Sequence, residues 1–509
     1  MAGRALFTTL SVMAGAWLLT SCGGAADDTG DLPPSPPPPA KTWTRPANLT
    51  DNISPDGQHA AYPQVAMDAN GNALVVWQQV DVGGTYGQIF VSEYRNGSWT
   101  HPASLTDNIS PDGQYAADPQ AAMDANGNAL VVWGQNDGTA NCGGNACTQI
   151  FVSEYRNGSW THPASLTDNI SPDGQGAQAP QVAMDANGNA VVVWKQGDGA
   201  TQQIFTSEYR GGKWTHPANL SDNISPDGRY AFYYPQVAMG DNGDAVVVWV
   251  QDSGTYAQTF VSEYRNGSWT HPASLTDNIS PDGQGAQAPQ VAMDANGNAV
   301  VVWKQGDGTT NCSGSICFQI FLSEYRNGSW AHPANLTDHI SPDGQHAFAP
   351  QVAIDTNGNA VVVWGQHDGT TNCAGSTCYQ IFLSEYHKGS WTHPASLTDN
   401  ISPDGQHAQG PQVAMDAKGN ALVVRAQGDG TTICAGSACD QIFASEYRNG
   451  SWTHPADLTD HISLNGQNAG SPQLAMDANG NAVVVWAQDD GTANCGGSAC
   501  AQIFASEYR

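Results

Sequence analysis

Carboxylates recur at one position of a repeated phrase in this chain, and together they could bind a ligand. They lie in the phrase Ser-Pro-Asp-Gly, as Asp56, Asp112, Asp173, Asp227, Asp282, Asp343 and Asp404. Such groups can accept hydrogen bonds from sugar hydroxyls, or, with Asp107 and its equivalents, supply oxygen ligands to Ca²⁺. Their spacing differs from that of an EF-hand loop. Pro-Asp-Gly is also a turn sequence in its own right, so turn formation alone is the competing interpretation.

Aromatic residues follow one of these turns. Tyr230, Phe232, Tyr233 and Tyr234 make the fourth repeat the most aromatic, which suggests a patch for stacking against sugars. Packing within the fold is the alternative role. Arg425 is a second local exception, because it stands where the other repeats have tryptophan. We interpret that substitution as drift, with a functional role as the alternative.

Eleven cysteines are present, and ten of them form five Cys-x4-Cys pairs. In an exported protein this spacing predicts local disulfides. A thiolate metal site would need two pairs to converge, or a nearby histidine. The pairs are Cys142 and Cys147, Cys312 and Cys317, Cys373 and Cys378, Cys434 and Cys439, and Cys495 and Cys500.

The remaining cysteine lies at the end of an export signal. Arg4 precedes an apolar run that is too short for a comfortable membrane span, and Leu19-Thr20-Ser21-Cys22 follows. These four residues resemble the lipobox of bacterial lipoproteins, which implies cleavage before Cys22 and a lipid on that cysteine. Gly23 after it would favour the outer membrane in a Gram-negative cell. An ordinary secretory signal with an incidental Cys22 is the alternative.

The predicted organisation is therefore a signal peptide at residues 1–21, a lipidated proline-rich spacer at 22–40 and a folded body at 41–509. We expect this body to be held at the bacterial cell envelope, at the outer membrane or cell surface. The lipid on Cys22 would be its sole contact with the membrane. A net charge of −30 argues against nucleic acid as a partner.

The folded body consists of eight repeats of 54 to 61 residues, starting at Trp43, Trp99, Trp160, Trp214, Trp269, Trp330, Trp391 and Trp452. Each has short apolar runs separated by turn residues. In most copies Asn-Gly forms the turn between the first two runs and the turn between the last two. This pattern predicts four antiparallel strands per repeat. We predict an all-β fold, an eight-bladed β-propeller, with a parallel β-solenoid as the alternative.

The chain ends predict how the ring closes. The eighth repeat stops at Phe504-Ala505-Ser506-Glu507-Tyr508-Arg509, without the strand that follows this phrase elsewhere. The missing strand is present at the other terminus, around Trp43. We therefore expect the N-terminal strand to complete the last blade and remove the free sheet edges.

Chain direction also assigns the loops to two faces. The "DANGN" and "RNGS" turns lie on one face, which we call the turn face. The cysteine insertions and the long "LTDNISPDGQ" connections lie on the other, the connection face. Because function concentrates in long loops on a rigid scaffold, the connection face is the predicted binding surface.

The "DANGNAVVVW" phrase resembles the Asp-box of sialidase or BNR-type repeat proteins, although the Ser/Thr before Asp and the Thr before the aromatic are absent. The resemblance implies a propeller and suggests a sialidase-like enzyme as one alternative function. Such a site would need clustered arginines, a Tyr–Glu pair and an acid. Glu93, Tyr94 and Arg95 recur in nearly every repeat, so symmetry spreads them around the rim, where a structural ion pair is expected.

These observations favour a monomeric binding protein with no catalytic site of its own, which engages glycan or protein ligands at several positions. We expect no cofactor, except that the carboxylates could bind Ca²⁺. The alternatives are a sialidase-like glycan-cleaving enzyme and a purely structural or adhesive scaffold. One deep pocket with unmatched charges would favour the enzyme, whereas equivalent shallow sites would favour the binding protein.

Overall fold

The computed structural model describes residues 41–509, except 140–141, 143–146, 313, 372, 374–377, 432–433, 435–438, 493–494 and 496–499. The proposed signal peptide, Cys22 and the proline-rich spacer lie outside the described residues. All regular secondary structure in the described part is β-strand, in eight four-stranded sheets. The same part offers no helix with the length and apolar character that a bilayer crossing requires.

The strands follow one another in a fixed order. After β1 (Trp43–Thr44), blades one to four contain β2 (Ala60–Met67), β3 (Ala73–Val80), β4 (Gly87–Arg95), β5 (Ser98–Thr100), β6 (Ala116–Met123), β7 (Ala129–Asn136), β8 (Thr148–Arg156), β9 (Ser159–Thr161), β10 (Ala177–Met184), β11 (Ala190–Gly197), β12 (Gln202–Arg210), β13 (Lys213–Thr215), β14 (Ala231–Met239), β15 (Ala245–Asp252), β16 (Ala257–Arg265) and β17 (Ser268–Thr270). Blades five to eight contain β18 (Ala286–Met293), β19 (Ala299–Gly306), β20 (Phe318–Arg326), β21 (Ser329–Ala331), β22 (Ala347–Ile354), β23 (Ala360–His367), β24 (Tyr379–His387), β25 (Ser390–Thr392), β26 (Ala408–Met415), β27 (Ala421–Gly428), β28 (Asp440–Arg448), β29 (Ser451–Thr453), β30 (Ala469–Met476), β31 (Ala482–Asp489) and β32 (Ala501–Tyr508).

The sheets form a closed ring, as the sequence predicted. The first strands of neighbouring blades contact one another all the way round, including β2 with β30. In the last blade the order is β1-β32-β31-β30, and Trp43 pairs with Tyr508 as Trp99 pairs with Tyr94 in the first. The Thr42 backbone N–H also donates to Arg509 O at 2.9 Å. The solenoid alternative is therefore wrong, because the two chain ends share one sheet.

The core lies between the blades. The second strand of each blade is buried on both faces, since it is packed between the two neighbouring sheets. In β3, for example, Val75 and Trp77 face one neighbour, and Leu74 and Val76 face the other. This arrangement explains why these strands read as continuous apolar runs and lack the polar alternation of a half-exposed strand.

Buried glutamines satisfy the polar groups of this core. Trp77 Nε1 donates to Gln79 Oε1 at 3.0 Å, and Gln79 Nε2 donates to Pro55 O at 2.6 Å and Gln58 O at 3.0 Å. The same tryptophan–glutamine pair recurs in six further blades. The pair ties each blade to the connection that precedes it, because both acceptor carbonyls belong to that connection.

All five predicted disulfides are present, each between the two cysteines of one Cys-x4-Cys pair. They lie between the second and third strands of blades two, five, six, seven and eight. Each bridge therefore lies between the ends of these two strands on the connection face.

Arg425 breaks the core pattern in blade seven. Its side chain is fully buried, and its Nε donates to Gln427 Oε1 at 3.2 Å in place of the tryptophan indole. A second nitrogen, Nη1, donates to Ser445 Oγ at 3.2 Å, while Nη2 has no hydrogen-bond partner. Burial lowers the pKa of Arg425 to about 9. The guanidinium therefore carries an uncompensated desolvation cost.

We predict that Arg425→Trp stabilises the protein by about 1–4 kcal/mol, because it removes a buried charge and restores the tryptophan–glutamine pair. Burial holds the pKa of Arg425 in the folded chain at about 9, well below its ordinary value in the unfolded chain. Its cost is fully present below pH 9 and is relieved as the pH rises above that value. The gain should therefore shrink above pH 9.

Urea unfolding of the two proteins between pH 7 and pH 10 measures this gain. Trp364→Arg in the neighbouring blade is the matched control and should destabilise. A decrease in stability for Arg425→Trp would contradict the prediction.

Candidate ligand-binding face

The Glu and Arg of each Ser-Glu-Tyr-Arg phrase connect neighbouring blades. In blade one, Arg95 Nε donates to Glu93 Oε2 at 2.5 Å, so the expected ion pair on one strand face is present. Trp160 Nε1 of the next blade donates to the other oxygen of Glu93 at 2.6 Å. The guanidinium of Arg95 lies 3.9 Å from the ring centroid of Tyr155 and donates to Gly127 O at 3.1 Å. We call this set of contacts the inter-blade clamp.

The clamp recurs around the ring and crosses the junction of the two chain ends. There, Trp99 Nε1 donates to Glu507 Oε1 at 2.7 Å, and the Arg509 guanidinium lies 4.2 Å from the Tyr94 ring centroid. Two junctions differ: between blades seven and eight Glu446 Oε1 accepts from the Tyr508 hydroxyl, and between blades six and seven His387 replaces the arginine. It stacks on Tyr447 with 5.5 Å between ring centroids, and its buried Nε2 has no hydrogen-bond partner.

Other repeated polar groups also have structural partners. Asp68 Oδ1 accepts the backbone N–H groups of Asn70 and Asn72 at 2.8 Å each, which closes the first turn of its blade. Asp107 Oδ2 accepts the N–H groups of Ala103 at 2.8 Å and Ser104 at 3.1 Å. Equivalent turns and caps recur in other blades. The sequence suggested Asp107 as a Ca²⁺ ligand beside the Ser-Pro-Asp-Gly carboxylates. In the structure its carboxylate caps its own loop.

The histidine of each "THPA" phrase has a structural environment as well. His101 stacks on Trp99 with 5.6 Å between ring centroids, and its Nδ1 lies 3.0 Å from Ser92 Oγ. Burial lowers the pKa of His101, and burial lowers the pKa of its counterpart in six further copies. The lowered pKa favours the neutral form of these imidazoles.

The seven predicted ligand-binding carboxylates are all exposed on the connection face: Asp56, Asp112, Asp173, Asp227, Asp282, Asp343 and Asp404. Two of them, Asp173 and Asp227, line one open groove of about 810 Å³ together with Asp198. A second groove of about 380 Å³ contains Asp282 and Tyr256. Both grooves adjoin blades that lack a disulfide hairpin.

The carboxylates also have local partners. Asn52 Nδ2 donates to Asp56 Oδ1 at 3.2 Å, and Asn108 donates to Asp112 at 3.0 Å. Tyr230 is 49% exposed, as a stacking residue should be, and Tyr234 is 60% exposed. The side chain of Tyr233 lies outside the described residues.

In the described part of the connection face, histidine and aromatic side chains of blades five to seven form a cluster. We call it the imidazole–aromatic patch, and it consists of Phe318, His346, Phe348, His367, Tyr379 and His407. Its centre is Tyr379, whose ring centroid lies 4.3 Å from that of His367, 4.9 Å from His407 and 5.2 Å from Phe348. These residues come from blades five, six and seven, because the ends of their strands meet on this face.

Backbone contacts fix two of the imidazoles. The Phe318 backbone N–H donates to His346 Nδ1 at 3.3 Å, and that of Tyr379 donates to His407 Nδ1 at 3.2 Å. Each Nδ1 is thus an acceptor, so each neutral ring carries its proton on Nε2. Burial, together with the neighbouring His346 and His407, lowers the pKa of His367. The patch presents aromatic faces and N–H donors at neutral pH, which suits a polar ligand with apolar faces, such as a sugar.

The predictions made from the sequence did not include this patch. The available signal was variation at fixed positions of the repeat. The position of His367 holds Asn136 in blade two and Gly197 in blade three, and that of Tyr379 holds Thr148 and Gln202. Only the folded ring shows that these scattered substitutions meet.

No family model and no curated protein matches the sequence. Similar solved structures include a protein of unknown function from Dyadobacter fermentans, with 12% identity, a TM-score of 0.38, and coverage of 90% of this chain and 97% of that one. They also include an ulvan lyase of polysaccharide lyase family PL25, with 12% identity, a TM-score of 0.44 and coverage of 81% and 99%. A third is a Hadza microbial sialidase, with 12% identity, a TM-score of 0.36 and coverage of 60% and 63%. At these values the similarity carries no inference about a ligand or an activity.

We predict that His387→Arg stabilises the protein by about 1 kcal/mol, because it completes the one clamp that lacks a guanidinium. Arg326→His in the preceding blade is the matched reverse change and should cost a similar amount. Equilibrium urea unfolding measures both effects. Equal stability of the wild type and both variants would show that the clamp contributes nothing measurable.

Proposed function

We propose that this chain is an envelope-anchored binding protein that engages glycan ligands through its connection face, without a catalytic site of its own. The imidazole–aromatic patch is its principal contact. The exposed Ser-Pro-Asp-Gly carboxylates provide weaker, repeated contacts, and Ca²⁺ can assist them.

One observation carries the proposal: the Glu and Arg of the recurring Ser-Glu-Tyr-Arg phrases are engaged in holding the ring together, whereas the histidine and aromatic residues of the patch, which vary between repeats, gather on one face. The Glu93 carboxylate and the Arg95 guanidinium, which a glycan-cleaving site would need, belong to the inter-blade clamp. By contrast, the residues of the patch have no equivalent in blade two, where Ala117, Asn136 and Thr148 occupy the positions of Phe348, His367 and Tyr379.

Repetition also supports binding at several positions. The exposed carboxylates recur in seven connections on the same face, so a polymeric ligand can contact several of them at once. Weak contacts of this kind gain strongly in avidity when they are made together. A polysaccharide fits this geometry better than a small molecule.

A glycan array probed with the purified full chain, with and without Ca²⁺, tests the proposal. We expect binding, and we expect the triple variant Phe348→Ala/His367→Asn/Tyr379→Thr to lower the affinity at least about tenfold, because stacking surface and donors are lost together. Each new residue is the one that blade two holds at that position, so the scaffold accommodates it.

Tyr62→Ala is the matched control, because Tyr62 is 61% exposed and lies outside the patch. It should leave the binding unchanged. The proposal fails if the wild type binds no glycan, or if the triple variant binds as well as the wild type. Release of shortened sugars from a bound polysaccharide would favour the enzymatic alternative.

We predict that Cys22→Ala moves the protein from the membrane fraction to the soluble fraction, because lipid on Cys22 is its proposed anchor. Immunoblots of fractionated cells measure the distribution. Ser21→Ala is the control, since it leaves the lipid acceptor in place. Retention of the Cys22→Ala protein in the membrane fraction would contradict the lipoprotein interpretation.

A further inference from the structure

Three side chains converge beside the connection between blades five and six. Asp307 follows β19, while His339 and Asp343 lie on the connection from β21 to β22. One potential ligand atom from each residue lies within 4.8 Å of the other two. Among the residues that the structure describes, this is the one set of three such groups.

Each group is held in place by the surrounding fold. Asp307 is 6% exposed, and its Oδ1 accepts the Thr309 backbone N–H at 2.8 Å and the Thr309 hydroxyl at 2.9 Å. His339 Nδ1 lies 3.0 Å from Ser341 O. Because a carbonyl only accepts hydrogen bonds, Nδ1 carries the proton and the lone pair of the neutral ring lies on Nε2. That Nε2 is 3.3 Å from Asp343 Oδ1.

This arrangement is typical of a metal-binding histidine. Such residues donate their second ring nitrogen to a carbonyl or carboxylate, which fixes both the tautomer and the orientation of the ring. The Phe321 ring packs edge-on against His339 with 5.8 Å between ring centroids, which further fixes the imidazole. Asp343, whose side chain is 80% exposed, leaves the set open to solvent.

The other repeats show what is particular to this connection. Six of them have asparagine in place of His339, and in the first two that amide donates to the Ser-Pro-Asp-Gly carboxylate. An amide N–H has no lone pair to give a metal, whereas the imidazole does. The eighth repeat has His461, again with Nδ1 3.0 Å from a carbonyl, Ser463 O, but Asn465 replaces the carboxylate.

We propose that Asp307, His339 and Asp343 bind a divalent transition metal of the Zn²⁺ type. One imidazole nitrogen and two carboxylate oxygens form a donor set that suits Zn²⁺ better than Ca²⁺, which prefers oxygen ligands alone. Three protein ligands leave at least one coordination position for water or an external ligand.

The proposed metal site adjoins the imidazole–aromatic patch along the chain. Asp343 precedes His346 by three residues, and the Asp307 backbone N–H donates to Cys317 O at 2.9 Å, directly before Phe318. The metal proposal rests on its own residues and stands independently of glycan binding.

Calorimetric titration of the metal-free full chain with Zn²⁺ tests the site. We expect one site per chain in the wild type, and an affinity at least about tenfold lower in His339→Asn and in Asp343→Asn. The chain already uses asparagine at both positions in other repeats, so both variants should fold. His461→Asn changes the corresponding histidine where the carboxylate is absent, and it should leave the titration unchanged.

Thermal unfolding with and without Zn²⁺ provides a second measurement, since a bound metal raises the unfolding temperature. The increase should be present in the wild type and His461→Asn and lost in His339→Asn. The proposal is wrong if the wild type binds no stoichiometric Zn²⁺, or if His339→Asn binds as tightly as the wild type. It is also wrong if His367→Asn abolishes binding while His339→Asn does not, because the metal would then lie on the patch.

Discussion

The closure of the ring is the constraint on which the rest of this structure depends. A blade has an inner and an outer edge and two apolar faces, and those faces are covered only when a neighbour stands on each side. The pairing of Trp43 with Tyr508 completes the last blade from the opposite end of the chain. The clamp between Glu507 and Trp99 then joins that blade to the first, as the other clamps join their neighbours. Without this closure, two apolar sheet faces would be exposed to water.

Symmetry determines which residues remain available for function. A group that recurs from blade to blade and makes the same structural contact in most of them has its chemistry used in the scaffold. The Glu93–Arg95 pair and the Trp77–Gln79 pair illustrate this division. The principal contact of the proposed function therefore comes from positions where the repeats differ. The differing positions of the patch lie at strand ends on the connection face, outside the core and the clamps.

Arg425 shows how much departure the ring accepts. A fully buried guanidinium replaces an indole in one of eight otherwise similar cores, and the fold retains the glutamine contact. The contacts between the other blades maintain the ring, although the Arg425 guanidinium of blade seven has no carboxylate partner among the described residues. A repetitive scaffold can in this way accumulate local exceptions, and the patch of blades five to seven is a group of such exceptions at the surface.

The sequence alone determined the fold, the number of blades, the local disulfides and the sharing of one sheet by the two termini. These features follow from local patterns: strand-length apolar runs, Asn-Gly turns, fixed cysteine spacing and a strand that is missing at one end and present at the other. The tertiary structure decided which side chains meet. Phe318, His367 and His407 are far apart along the chain and come together because each begins, ends or directly precedes a strand on the same face. Likewise, no local pattern joins Asp307 to His339, because their proximity depends on how one blade packs against the connection that leaves it.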